Sequence, residues 1–296
     1  MKKIKMCAFL IFIISMFPIW NIYGQTENSI DQETNYISFH NIDKAWAYSK
    51  GRDVKVAVLD WMFNIKSDTS QKYINPTSLV PGQEIGIFDA WHGEWMTEII
   101  HTIAPEAKII PIRARPARDG KEESFIDRPY EKYILQGIIF SADRGAVAVT
   151  NSMGPLKQSA ELDKAIYYAA ERGTVFIDVH PEYLTYENDS YVLCDSLTLN
   201  KRIIHSGIIP VPEHPARRHV VRDIYTWPYQ INPKYKDGWG YSNGPPIIAG
   251  VIALMKSVNK DLTIDEIKNI LIKAARKHNE YKVLDAEAAV KEVLKK

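Results

Sequence analysis

Apolar residues recur along this chain with two alternating periods. Val54-Lys55-Val56-Ala57-Val58-Leu59 is a β-branched run ending on Asp60, the composition of a strand buried on both faces. Met96, Ile99, Ile100 and Ile103 then recur at helical spacing. A strand over 109–114, a helix over 130–143, a strand over 146–152, a helix over 160–172 and a strand over 174–179 follow. Such alternation predicts βαβ units and a parallel sheet covered on both faces. A brief amphipathic helix is expected before it, over 41–47. Beyond Pro181 the pattern loosens into shorter strands, clearest over 202–209, and into a Pro- and Tyr-rich loop over 212–235. The remainder reads as helices over 244–257, 263–275 and 286–294, the second opening on the capping-type Thr263-Ile264-Asp265-Glu266.

Composition narrows the partners. With 296 residues, 46% hydrophobic and 25% charged, the chain has apolar material for a sizeable core. A formal charge of +1 with scattered Lys and Arg gives no reason to expect nucleic acid or an anionic membrane, and the densest basic cluster, Arg217-Arg218-His219, is short. The amino end is distinct: Lys2, Lys3 and Lys5 precede an apolar stretch from Cys7 to Trp20, followed by Gly24-Gln25, the pattern of a secretory signal peptide. The apolar stretch is shorter than the ~20 residues of a spanning helix and is interrupted by Pro18, so cleavage is expected, with no stable membrane insertion afterwards. The division is then a signal peptide over 1–24 and one domain over 25–296, monomeric and either secreted or periplasmic. Cleavage would remove Cys7 and leave Cys194 alone, so no internal disulfide would support the domain.

The candidate chemistry centres on Gly240-Tyr241-Ser242-Asn243-Gly244, a serine between glycines ahead of an apolar run. Glycine on either side suggests a strained turn open to close substrate approach, and the helix behind would aim its positive end at the hydroxyl. A serine nucleophile needs a histidine to take its proton and a carboxylate to orient that histidine. Asp60, closing a strand, and His92, opening a helix, supply those types. Each also has a plainer reading, as a turn residue and a helix-terminal cap.

Five strings in order resemble the subtilisin-like serine peptidases, over roughly residues 42–275. The run from Val54 to Asp60 is similar to the family's strand ending at the catalytic aspartate, and His92-Gly93 resembles the start of its His-Gly-Thr-His motif. Gly240 to Gly250 resembles Gly-Thr-Ser-Met-Ala-Ser-Pro-His-Val-Ala-Gly, aligned position for position without a gap. Ala104-Pro105-Glu106-Ala107-Lys108 and Ser152-Met153-Gly154 agree more weakly, the latter with the family's substrate-binding strand. The resemblance also covers the chain order Asp, His, Ser. It implies a three-layer α/β/α fold with a mostly parallel central sheet and hydrolysis of peptide or protein substrates through an acyl-enzyme, with Asp60, His92 and Ser242 as the triad. Ser152, Met153 and Gly154 would align an extended substrate by backbone pairing. No cofactor or catalytic metal is implied, and a structural calcium assembled from dispersed oxygens leaves no readable motif.

The departures from the pattern are specific. Trp61-Met62 follows Asp60 in place of small residues, and Trp95 replaces the family's second histidine, changes expected to reshape the rim. Simple register puts Glu182 at the asparagine that completes the oxyanion hole beside Ser242, where a carboxylate would repel the developing charge. His180, or with less support Asn188, is the substitute donor. Too few residues separate the signal peptide from Ile42 for the folded inhibitory propeptide of many family members.

Two rivals remain. The string also fits the G-x-S-x-G elbow of α/β-hydrolases, but that fold needs an acid and then a histidine after the serine, and His278 is the sole histidine there. The second is a catalytically impaired relative that keeps the fold as a peptide- or protein-binding module, favoured by the altered oxyanion position and the two tryptophans.

Overall fold

The computed structural model describes residues 35–61, 63–65, 70–86, 92–118, 121–122, 130–153, 156, 159–179, 184–187, 190–193, 202–209, 222–229, 231 and 240–296. These residues fall within one unit, Asp31–Lys296. The signal peptide expected over 1–24, Cys7, Cys194 and the Arg217-Arg218-His219 cluster lie outside the described residues.

Two short helices, α1 (Tyr36–Phe39) and α2 (Ile42–Ala45), lead into β1 (Lys55–Asp60), β2 (Thr77–Ser78), α3 (His92–Ile103) and β3 (Lys108–Arg113). A small hairpin, β4 (Ala117–Arg118) with β5 (Lys121–Glu122), precedes α4 (Glu131–Asp143), β6 (Ala148–Asn151), α5 (Ala160–Glu171) and β7 (Val175–Asp178). A second hairpin, β8 (Leu184–Glu187) with β9 (Ser190–Leu193), is followed by β10 (Ile203–Ile208) and β11 (Ile224–Thr226). A 3-10 turn, Tyr241–Asn243, leads into α6 (Gly244–Val258), then α7 (Ile264–Ala274), the hairpin β12 (Arg276–His278) and β13 (Tyr281–Val283), and α8 (Ala286–Leu294).

Nine strands form one sheet in the order β12-β13-β11-β10-β7-β6-β1-β3-β2, parallel except for the β12–β13 pair. Successive side chains of a strand face opposite ways. Ala57, Leu59, Ile110, Ile112, Val149 and Phe176 therefore pack in one core with α4 and α5, while α3 and α6 lie against the other face. This is the three-layer arrangement expected from the alternation. The order also fixes where a site belongs: β1 sends the chain towards β3 and β6 sends it towards β7. The crevice at the carboxyl ends of β1 and β6 is thus the topological switch point, the place where open α/β sheets build sites.

Helix α6 is apolar all round and buried from Gly244 to Lys256, as a central helix must be. Its approach to α3 requires Gly250, because a Cβ there would stand 2.8 Å from Ile103 Cβ. Helix α7 carries the expected capping box, with Thr263 and Glu266 satisfying each other's backbone N–H.

Two expectations fail at the far end of the sheet. Strand β11 lies inside the stretch expected as loop, and the β12–β13 hairpin has no counterpart among the predicted elements. Each strand has three residues, too few to display a period. Asn279 adopts a left-handed φ of 54° that lets the chain reverse between the hairpin strands.

Candidate active site

Asp60 ends β1 with no exposed surface, and both its carboxylate oxygens are engaged. Oδ1 accepts the Trp61 backbone N–H at 2.9 Å and Oδ2 accepts His92 Nδ1–H at 2.8 Å. A carboxylate can only accept, so this bond puts the proton of neutral His92 on Nδ1 and leaves Nε2 as its basic nitrogen. His92 opens α3 and is itself buried. The Trp61 ring stacks on the imidazole, with centroids 4.7 Å apart and planes 13° apart, and Trp95 one turn along α3 meets it edge-on at 6.3 Å. The Arg115 guanidinium lies 4.7 Å from the Trp61 ring centre and 5.5 Å from that of Tyr130. Expected to shape a rim, Trp61 and Trp95 are instead buried: Trp61 joins the core with Leu59, Ile112, Tyr130 and Ile134, and Trp95, three residues into α3, lies over that helix's own first turn.

Ser242 sits in the 3-10 turn ahead of α6, and α3 touches that turn. The flanking glycines are not strained. Gly240 is extended (φ −151°) and Gly244 helical (φ −59°), conformations open to any residue. The reason for glycine at 244 is space, since a Cβ would fall 2.0 Å from Ser206 Oγ. Pro245 and Pro246 occupy the first turn of α6, so the helix start behind Ser242 presents fewer free N–H groups than its dipole alone suggests. Asn243, fully buried, anchors the turn by donating to the Tyr229 carbonyl at 3.0 Å.

The Ser242 hydroxyl donates to the backbone carbonyl of Ser152 at 3.2 Å, and the Ser152 hydroxyl donates to the Ser242 carbonyl at 2.9 Å. Ser152 thus lies against the turn of Ser242 at the end of β6, and the buried Met153 follows it. Gly154, His180, Glu182 and Asn188 lie outside the described residues. Two further participants are not among the candidate residues of the sequence reading. Asn151, in register with Leu59 of β1, donates its amide to Asp178 at 3.1 Å and accepts the Met153 N–H at 3.3 Å. Both are buried polar residues closing parallel strands, the same signal that drew attention to Asp60. Among the described residues no group of three or more His, Cys, Asp or Glu side chains is arranged to hold a metal, and no helix is long and apolar enough to cross a membrane.

No family model and no curated protein matches the sequence. Solved structures do match. MycP3 protease from the type VII (ESX-3) secretion system is 19% identical, covering 90% of each chain with a TM-score of 0.65. A lanthipeptide protease is 15% identical, covering 87% of this chain and 94% of its own, with a TM-score of 0.66. Fervidolysin from Fervidobacterium pennivorans, a keratinolytic enzyme related to subtilisin, is 18% identical over 84% of this chain and 44% of its own, with a TM-score of 0.65. The chain therefore has the fold of the subtilisin-like proteases.

Proposed function

We propose that the protein is an exported serine endopeptidase that cleaves peptide bonds through Asp60, His92 and Ser242. The observation that carries this reading is the buried Asp60–His92 bond at a sheet-edge crevice, with α3, the helix His92 opens, in contact with the turn of Ser242. Asp60 holds the imidazole with Nε2 basic, and His92 accepts the Ser242 proton as the serine oxygen attacks the scissile carbonyl. The C–N bond then breaks as His92 returns the proton to the leaving amine, and water hydrolyses the acyl-enzyme by the same steps. The backbone of Ser152, Met153 and Gly154 pairs with the extended substrate, and the Ser242 N–H faces the oxyanion. That the neighbours of this fold are proteases supports a peptide or protein substrate. The charged, apolar and small-residue pattern of residues 1–24 supports export, with residues 25–296 as the mature domain.

The test is incubation of the purified protein with denatured casein, with mass-spectrometric identification of new peptide termini. Termini that appear with the wild type and not with Ser242→Ala support the reading; identical peptide maps for the two contradict it.

One further observation favours the second reading, a peptide-binding relative with impaired chemistry: Glu182 occupies the oxyanion register in sequence. Losing one oxyanion donor costs ~100- to 1000-fold in rate, so on the peptidase reading the enzyme is slow and Glu182→Asn speeds it. A Glu182→Asn variant as inert as the parent supports the binding module.

A further inference from the structure

The Asp60–His92 bond joins residues 32 apart in the chain, and a second path ties together the elements that carry them. The chain leaving β1 runs along the first turn of α3: Trp61 stacks on His92, and Asn64 donates its backbone N–H to Glu94 Oε2 at 3.1 Å. Glu94 stands two residues along α3 from His92. The same carboxylate oxygen accepts the Tyr73 hydroxyl at 2.8 Å. A carboxylate can only accept, so the Tyr73 proton goes to Glu94 and leaves Tyr73 Oη facing Thr97 Oγ1 at 2.7 Å. The buried Lys72 brings its ammonium 3.7 Å from Glu94 Oε1 and bonds Glu98. Residues 72–74 are themselves fixed to the sheet. The Ile109 N–H bonds the Lys72 carbonyl at 2.8 Å, and the Ile74 N–H bonds the Ile109 carbonyl at 2.9 Å. Ile109 pairs in turn with Val56 of β1, the strand that ends on Asp60. The path therefore closes on itself, from Asp60 through β1, β3, Tyr73 and Glu94 to His92.

A carboxylate in the first turn of a helix is favoured by the helix dipole alone, which asks for no particular partner. Glu94 has more than that: a donor from the loop after Asp60 and a donor and a cation from the segment bound to β3 converge on it. We propose that Glu94 is a positioning residue, which clasps the first turn of α3 to the loop leaving Asp60 and to the sheet, and so sets the His92 imidazole against the Asp60 carboxylate. The bonds from Asn64 and Tyr73 need an oxygen acceptor at this point, which a glutamine amide also supplies, whereas a role confined to the dipole needs the charge. This inference rests on the peptidase reading above for the use to which His92 is put, and the clasp itself is tested separately.

The experiment compares Glu94→Ala, Glu94→Gln and Tyr73→Phe with the wild type in the full-length protein, with folding checked by melting. Two quantities are read. The first is the low-field proton resonance of His92 Nδ1–H, observed with nitrogen-labelled histidine and assigned by its absence from His92→Ala. The second is kcat and KM on a casein-derived peptide. In Glu94→Ala the imidazole drifts from Asp60: the resonance broadens or is lost, and kcat falls on the order of 10- to 100-fold with KM little changed, the scale expected of a ~1 Å misplacement. Glu94→Gln keeps the acceptor and with it the resonance and most of kcat. Tyr73→Phe removes one of the two bonds to Oε2, moves both readouts in the same direction by less, and carries the test if the alanine variant does not fold. A folded Glu94→Ala, or failing that Tyr73→Phe, with the wild-type resonance and kcat overturns the clasp. A loss in Glu94→Gln as large as in Glu94→Ala also overturns it, because the helix charge is then what matters. A wild type without the resonance overturns the Asp60–His92 bond and the clasp with it. A Glu94-dependent resonance in a protein with no Ser242-dependent hydrolysis supports the clasp and sinks the peptidase reading.

Discussion

The two halves of the candidate site are built differently. The half proposed to accept the proton, Asp60 and His92, stands on the end of a central strand and the start of a helix. It is buried, satisfied at both carboxylate oxygens and clasped by two tryptophan rings. The half that carries Ser242 stands on a 3-10 turn, is partly exposed at Ser242, and is tied to the end of β6 through Ser152. One half is rigid in advance of any reaction. On the proposed mechanism the Ser242 hydroxyl of the other must leave the Ser152 carbonyl for His92. Electrostatic preorganisation suits a group whose charge develops in the transition state, as the His92 imidazolium would against the fixed Asp60 carboxylate on the proposed mechanism, whereas a nucleophile must move along the reaction coordinate.

This contrast predicts that damage to the rigid half is felt most. Asp60→Asn keeps the shape and removes the acceptor that fixes the His92 tautomer, so kcat should fall ~10,000-fold with little change in KM. Steady-state kinetics on a casein-derived peptide check it, and a loss below tenfold would mean His92 does not depend on Asp60. Next in size, Trp61→Ala removes a buried ring from beneath His92 and should cost ~3–5 kcal/mol of stability in denaturant unfolding. Trp61→Phe should recover much of that loss; if it recovers none, the stacked platform is not what Trp61 contributes.

Acid should loosen the nucleophile half instead. His40 is buried, donates Nδ1–H to the Leu284 carbonyl and accepts the Trp227 N–H, two residues before the Tyr229 carbonyl that anchors Asn243. Burial, assisted by the Arg276 charge, pushes its pKa from 6.5 down to about 3, while His205 is pushed down to about 4, again chiefly by burial. A folded-state value below the unfolded one means that the unfolded chain takes up the proton first. The stabilising effect is complete above 6.5 and drains as pH falls towards 3. His40 alone accounts for ~2–3 kcal/mol at pH 4.5. Melting followed from pH 7 to 4 should show the decline, and His40→Gln should flatten it; an unchanged slope in that variant would remove His40 from the account.

The smallest effect should come from the joint between the halves. Gly250→Ala places a methyl 2.8 Å from Ile103 Cβ and pushes α6, behind Ser242, away from α3, which begins at His92. Overpacking of this kind costs ~1–3 kcal/mol. Its signature is a lower kcat on peptides with KM held, and a variant that loses stability with kcat intact would show that the α3–α6 spacing does not govern the site.

What the sequence discloses follows the same division. Asp60, His92 and Ser242 each stand at an element boundary, a place that also fits a turn or a cap, and it is the resemblance of the strings around them that singles them out as candidates. Asn151 and Asp178 end their strands in the same way, but a polar residue closing a strand is ordinarily a turn residue, and no family string surrounds them to say otherwise. The Ser152–Ser242 pair joins positions 90 residues apart through backbone atoms, which no side-chain pattern reports. Trp61 illustrates the remaining limit: its identity is plain, but whether a ring lies on a rim or beneath a histidine depends on the direction in which the chain leaves β1.

The account rests on Ser242 being a nucleophile that His92 activates. Intact mass of the purified protein after reaction with a fluorophosphonate, run beside Ser242→Ala and His92→Ala, tests this most directly. The prediction is a single adduct on the wild type and none on either variant. A folded wild type that acquires no adduct, or an adduct that persists in Ser242→Ala, would contradict it.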